Sequence, residues 1–290
     1  MFWVEALPAV LYGVLALGIP ESPRYLVMKG RHAEAQAVLA RLLNADQAEA
    51  KVEEIRASLD TQRPPRLADI LGPGLFKRIV WIGIGLSVFQ QLVGINVVFY
   101  FSATLWQAAG FSEGNALLLS ILTSTTNVVT TFIAIGLVDR IGRKPLLIAG
   151  SIGMTVALTV QAVALSSGTV VDGDLQLGPT PGLVAVIAAN VFVFSFGFSW
   201  GPVVWVLLGE MFSNRIRAAG LAVGAAAQWA ANYAISATFL LMATGLGLGL
   251  TYGAYAVFAL ISLGFVILLV PETRGRELES MGELETAAQR

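Results

Sequence analysis

Residues 115–168 read NALLLSILTSTTNVVTTFIAIGLVDRIGRKPLLIAGSIGMTVALTVQAVALSSG. Two long uncharged runs flank one short charged window, Asp139-Arg140-Ile141-Gly142-Arg143-Lys144. Each run supplies the ~20 mostly apolar residues that a helix needs to cross the hydrocarbon core of a bilayer. The whole chain repeats this alternation. All 18 Lys and Arg fall within 24–78, 140–144, 215–217 and 274–290. Basic loops stay on the cytoplasmic side of a membrane, so this pattern predicts an all-α polytopic membrane protein and fixes its topology.

Composition agrees. Of 290 residues, 56% are hydrophobic and 13% charged, against about 25% charged in soluble domains. A formal net charge of −1 argues against nucleic acid as a partner. Without Cys there is neither a disulfide nor a thiolate metal site. The single His32 sits in a charged stretch and reads as a solvated surface group, so no metal and no cofactor are expected. No Asn-x-Ser/Thr sequon occurs. The N-terminus lacks a basic n-region, and Glu5 interrupts its apolar run, so it is not a signal peptide.

Seven spans are expected, at 2–19, 79–101, 115–138, 145–168, 182–208, 219–243 and 247–270. The basic windows put 20–78, 139–144, 209–218 and 271–290 in the cytoplasm, with Met1 starting outside. Residues 183–200 alternate Phe192, Phe194, Phe196, Phe198 and Trp200 in a strand-like way. The uncharged run is too long for one strand and is read as helix. Pro202 is expected to kink it. Within 20–78, Ser22-Pro23 reads as a helix start, Gly30 as a stop and Asp46 as the N-cap of a charged helix over 46–60. Arg63-Pro64-Pro65-Arg66 ends that stretch. It reads either as a solvated linker or as a small helical latch.

Polar side chains inside lipid-spanning segments are costly and mark pathways or sites. The second span holds Gln90, Gln91 and Asn96, with Tyr100 near its outer end; Gly83, Gly85 and Gly94 permit bending or close helix approach. Asn127 lies on the third, Trp205 on the fifth, and Gln228, Trp229 and Asn232 on the sixth. Gln228 and Asn232 share a face at i,i+4. Neutral amides donate and accept without demanding charge, and an indole packs against the C–H face of a sugar ring. The set therefore suits a neutral polyol better than an ion or acid. The alternative is that isolated amides only glue helices together. Within the spans, Glu5 and Glu210 are the only carboxylates, so no midplane proton relay is visible.

The edges carry Pro20-Glu21-Ser22-Pro23-Arg24, Asp139-Arg140-Ile141-Gly142-Arg143-Lys144, Glu210-Met211-Phe212 with Arg217, and Pro271-Glu272-Thr273-Arg274-Gly275-Arg276. With Gln90-Gln91-Leu92-Val93-Gly94-Ile95-Asn96, these resemble the sugar porter family of the major facilitator superfamily, in the family's order and spacing over nearly the whole chain. The family has twelve membrane helices in two six-helix halves. The resemblance implies an incomplete fold: 1–19 as the sixth membrane helix, 20–78 as the intracellular helical domain, 79–270 as the C-terminal six-helix bundle and 271–290 as a cytoplasmic tail. It also implies sugar contacts at Gln90, Gln91, Asn96, Asn127, Trp205 and Gln228, with Asn232 close by, and an outer gate at Tyr100. Glu21, Arg24, Asp139, Arg140, Arg143, Glu210, Arg217 and Glu272 match its cytoplasmic charge network. One departure is Val203-Val204 before Trp205, where many members carry a second Pro.

The implied function is transport of a neutral pentose or hexose by alternating access, not enzymatic catalysis. Monosaccharide and lipid bilayer are the partners, with the absent N-terminal helices in cis or trans and with protons if the porter is a symporter. A plasma or inner membrane is the expected location, C-terminus in the cytoplasm. Two rivals stand beside this: a nonfunctional truncated fragment, and a sugar-sensing receptor. A retinal protein is excluded, because no Lys lies in the last span.

Overall fold

The computed structural model describes residues 2–41, 43–61, 67–72, 75–108, 111–171, 174–213 and 215–275. The chain divides into two compact units, Met1–Pro65 and Arg66–Arg290.

Among the described residues, the first unit has four helices: α1 (Phe2–Leu17), α2 (Pro23–Met28), α3 (His32–Leu39) and α4 (Ala45–Thr61). Leu26, Val27, Ala35 and Val52 are buried against one another, with Val38, Leu39 and Ile55 around them. Pro23 opens α2 at its first position, where the missing N–H costs nothing. Gly30 ends it at φ +76°. The charged helix starts at Ala45, so Asp46 lies in its first turn rather than at the cap; a carboxylate there still meets the positive end of the dipole. Arg63-Pro64-Pro65-Arg66 and the tail from 276 onward lie outside the described residues.

The second unit contains α5 (Arg78–Leu92), α6 (Ile95–Tyr100), α7 (Ser102–Ala108), α8 (Glu113–Ile141), α9 (Arg143–Ser166), α10 (Pro179–Gly197), α11 (Trp200–Met211), α12 (Arg217–Gly245) and α13 (Leu248–Leu269). Two short antiparallel hairpins, β1 (Leu71–Gly72) with β2 (Leu75–Phe76) and β3 (Thr169–Val171) with β4 (Asp174–Gln176), sit outside the bundle's helices. Helices α9, α10 and α13 form one packed group, and α5 packs along α12. Among the described residues, five segments are long and apolar enough to cross a membrane: Arg78–Tyr100, Glu113–Ile141, Arg143–Ser166, Pro179–Met211 and Leu248–Leu269. Two expected spans fall short of that standard. Helix α1 has 16 residues. Helix α12 has 29, ample in length, but Ala, Gly, Gln228 and Asn232 dilute its apolarity.

Small residues set the close packing. A Cβ on Gly150 would clash with the Ser199 hydroxyl, one on Gly153 with Ser195 and one on Gly249 with Ser166. Without a hydrophobic drive between helices in lipid, such approaches supply the dispersion contact that holds them. Helix α8 has seven Ser and Thr whose hydroxyls donate to the carbonyl four residues back, namely Ser120, Thr123, Ser124, Thr125, Thr126, Thr130 and Thr131. This satisfies them within the helix and makes its largely exposed surface compatible with an apolar medium.

The aromatic run is helical. Phe192 and Phe196 are buried one turn apart, and Phe194 pairs with Phe198 on another face at 5.6 Å between ring centroids. The break falls at Phe198–Ser199, not at Pro202. Ser199 has φ −131° and ψ −90°, and Pro202 lies in the first turn of α11, where proline is tolerated.

Candidate functional site

The second expected span is also broken. Gly94 adopts φ +80° between α5 and α6, and a Cβ there would approach Tyr255 Cδ2 to 2.6 Å. Only glycine meets both demands. The break lets Asn96 turn back on Gln91. Gln91 Oε1 accepts from Asn96 Nδ2 at 2.7 Å and from Asn232 Nδ2 of α12 at 3.1 Å. Asn232 Oδ1 accepts from Ser236 Oγ at 3.4 Å. Gln91 and Asn232 are buried. Gln228, one turn before Asn232, is half-buried, and its amide oxygen meets no donor of the protein.

Gln90 points elsewhere. Its Nε2 donates to the carbonyls of Trp200 at 2.8 Å and Gly201 at 3.1 Å, at the start of α11. Trp200 is fully buried and donates Nε1 to Ser151 Oγ at 2.9 Å and to the Leu147 carbonyl at 3.2 Å. Gln90 thereby tethers α5 to the α10–α11 break. Asn127 of α8 faces α10, its Oδ1 lying 3.2 Å from where a Cβ on Gly197 would be. Trp205 and Tyr100 are 42% and 60% exposed, and Trp229 and Tyr233 on α12 are 66% and 76% exposed. The structure thus joins Gln91, Asn96 and Asn232 directly and stations Gln228 beside them. It assigns Gln90 to a helix tether and leaves Trp205 and Tyr100 open.

A second cluster lies at the α8–α9 corner. Gly142, at φ +103°, ends α8 and allows α9 to start at once. Arg143 grips Glu210 with two hydrogen bonds, Nε to Oε2 at 2.9 Å and Nη2 to Oε1 at 2.6 Å. It also pairs with Asp139 at 2.8 Å. Thr273 Oγ1 donates to Glu210 Oε2 at 2.6 Å. Glu272 accepts from the backbone N–H groups of Arg143, Lys144, Thr273 and Arg274, at 2.9–3.1 Å. It caps the first turn of α9 from just beyond the end of α13. Burial pushes its carboxyl upward, but the four backbone donors outweigh this and hold it below the usual glutamate value. Arg217 donates to the Phe212 carbonyl at 3.1 Å, and Arg140 is exposed. Glu21 and Arg24 belong to the first unit.

Thr273 and Trp200 were not singled out from sequence. Thr273 stands inside a motif quoted for its charges, so the signal was present. Nothing separates Trp200 from the other aromatics around it.

These features place the chain. The model of the family "Sugar (and other) transporter" matches residues 1–284, and the chain belongs to that family. It is 51% identical over 282 residues to the glucose transport protein of Synechocystis sp., covering 97% of this chain and 60% of the relative. It is 39% identical over 297 residues to the D-xylose-proton symporter of Escherichia coli strain K12, covering 99% and 57%. The glucose facilitated diffusion protein of Zymomonas mobilis is 35% identical over 286 residues, covering 97% and 58%. Among solved structures, the proton:xylose symporter XylE bound to 6-bromo-6-deoxy-D-glucose matches with a TM-score of 0.79 at 35% identity, over 97% of this chain and 57% of that one. The chain therefore spans about three fifths of the length of the relatives it matches, and is an integral membrane protein of the major facilitator fold.

Proposed function

We propose that this chain is the C-terminal portion of a monosaccharide transporter working by alternating access, with a neutral pentose or hexose as substrate. The observation that carries the proposal is the amide cluster on Gln91. One carbonyl oxygen accepts from two asparagines carried by separate helical segments, α6 and α12. Sugar hydroxyls can exchange for these bonds one at a time. Each exchange is nearly balanced, since an intramolecular hydrogen bond contributes only about 1 kcal/mol net. Such a site captures a polyol and also lets it go. Trp205 of α11 offers an open indole face, and Gln228 an amide oxygen in need of a donor.

In this reading Gln90 acts by holding α5 to α11, Asn127 contributes from α8, and Tyr100 closes the outer side. Residues 20–78 form a cytoplasmic helical domain, and the C-terminus lies in the cytoplasm. Arg143, Glu210, Asp139 and Glu272 form a cytoplasmic lock whose opening accompanies inward release; Glu21, Arg24, Arg140 and Arg217 join it in the complete transporter. Relatives include both a proton symporter and a facilitated diffusion protein, so energy coupling follows from the helices that complete the cavity.

The test is uptake of labelled D-glucose and D-xylose by the complete transporter containing this chain. Gln91→Ala and Asn96→Ala should each weaken apparent affinity about tenfold, the loss of one to two hydrogen bonds. Unchanged affinity in both variants would refute the site. A protonophore then separates coupling modes: it abolishes accumulation by a symporter and leaves a facilitator unaffected.

A further inference from the structure

The polar groups of three buried side chains take part in nothing described above. Gln161 of α9, and Tyr252 and Tyr255 of α13, have no exposed surface. Both amide atoms of Gln161 and both tyrosine hydroxyls reach no donor or acceptor of the protein. They lie at one level. Ser151 Oγ meets Ser262 Oγ at 3.1 Å, and Ser166 abuts Gly249. That antiparallel register places Gln161 level with the turn from Tyr252 to Tyr255. The two tyrosine rings lie edge to face with centroids 5.8 Å apart. The Tyr255 ring lies against Gly94, at the break between α5 and α6. The interface has slack here: a Cβ on Gly253 would have only the Ala162 Cβ within 4 Å, at 4.0 Å.

We propose that Gln161, Tyr252 and Tyr255 form an internal site that holds water between α9, α13 and the break at Gly94. The donor and acceptor inventory favours this ligand. Two hydroxyls and one amide supply both donors and acceptors and carry no formal charge, which selects a small neutral molecule that does both. Buried waters are found where several polar groups converge and typically make about three hydrogen bonds. In an apolar bundle each of these atoms otherwise carries its full desolvation cost. Water here also suits the neighbouring break, because the first turn of α6 starts with N–H groups that lack intrahelical acceptors. A mobile donor and acceptor behind Tyr255 lets that break adjust without stranding a polar group.

Hydroxyl-radical footprinting of the full chain in detergent micelles tests the site, because radiolysis of bound water labels side chains beside it even when they are buried. Modification at Tyr252 and Tyr255 is read by mass spectrometry against Phe192, which is equally buried among apolar groups. We expect both tyrosines to be labelled several-fold above Phe192 after correction for intrinsic reactivity. Gln161→Leu should cut that labelling several-fold. If Gln161→Leu does not fold, Tyr255→Phe should lower labelling at Tyr252. Labelling of both tyrosines at the Phe192 level would overturn the proposal. So would labelling unchanged by every variant that folds.

Discussion

Arg143 keeps 10% of its side chain exposed and faces carboxylates of unequal standing. Glu210 is 26% exposed and Asp139 78%. A charge pair is worth little in solvent and far more where one partner is buried, chiefly because removing one member strands the other. Glu210→Ala should therefore cost about 3 kcal/mol, and Asp139→Ala under about 1 kcal/mol. Thermal unfolding of the two variants in detergent checks the ranking; equal shifts would refute it. Gly142→Ala combines a left-handed backbone with a Cβ 2.8 Å from Glu272 Oε2. It should destabilise by about 1–3 kcal/mol. For Glu272 itself, the folded carboxyl lies below its ordinary value of 4.5. A lowered acid stabilises the fold above its unfolded value and loses that contribution as pH falls through the folded one. The stability gap between the native chain and Glu272→Gln should thus be full near neutrality and close in acid below about pH 4.5.

Helix identity was legible from hydropathy and charge, down to the aromatic run that mimics a strand. Where helices break was less so. Pro202 marks a break that falls at Phe198–Ser199, because proline fits a helix's first turn better than its interior. What holds the break is long-range: Gln90 bonds to the Trp200 and Gly201 carbonyls across more than a hundred residues of sequence. Adjacent Gln90 and Gln91 look alike in a string of letters, yet they point to different helices. Only packing distinguishes them. Gln90→Leu should accordingly lower the unfolding midpoint more than Pro202→Ala does. For the other break, Gly94→Ala should destabilise strongly, and Tyr255→Ala in the same chain should recover the steric part but not the part due to φ. A double-mutant cycle measures that coupling; strict additivity would exclude the contact as its cause.

At the scale of the molecule, the two units have separate cores. Leu26, Val27, Ala35 and Val52 serve the first, while α9, α10 and α13 organise the second. Independent cores predict independent folding. Residues 66–290 alone should retain helical circular dichroism and a cooperative thermal transition. Leu26→Asp in the full chain should disorder the first unit and leave that transition in place. Loss of the transition in either case would mean that the units share stability.

Glu272 follows α13, yet it is fastened to the first turn of α9, some 130 residues earlier. A molecule pulled from its C-terminal end would meet this clasp before α13 began to unravel. The charge-assisted bonds are loaded together, in parallel, so they should yield as one event. In a force spectrum of the chain drawn out of a bilayer, that corner should appear as the first rupture, and Glu272→Gln should erase or weaken it while leaving the later peaks of α13 and α9 unchanged.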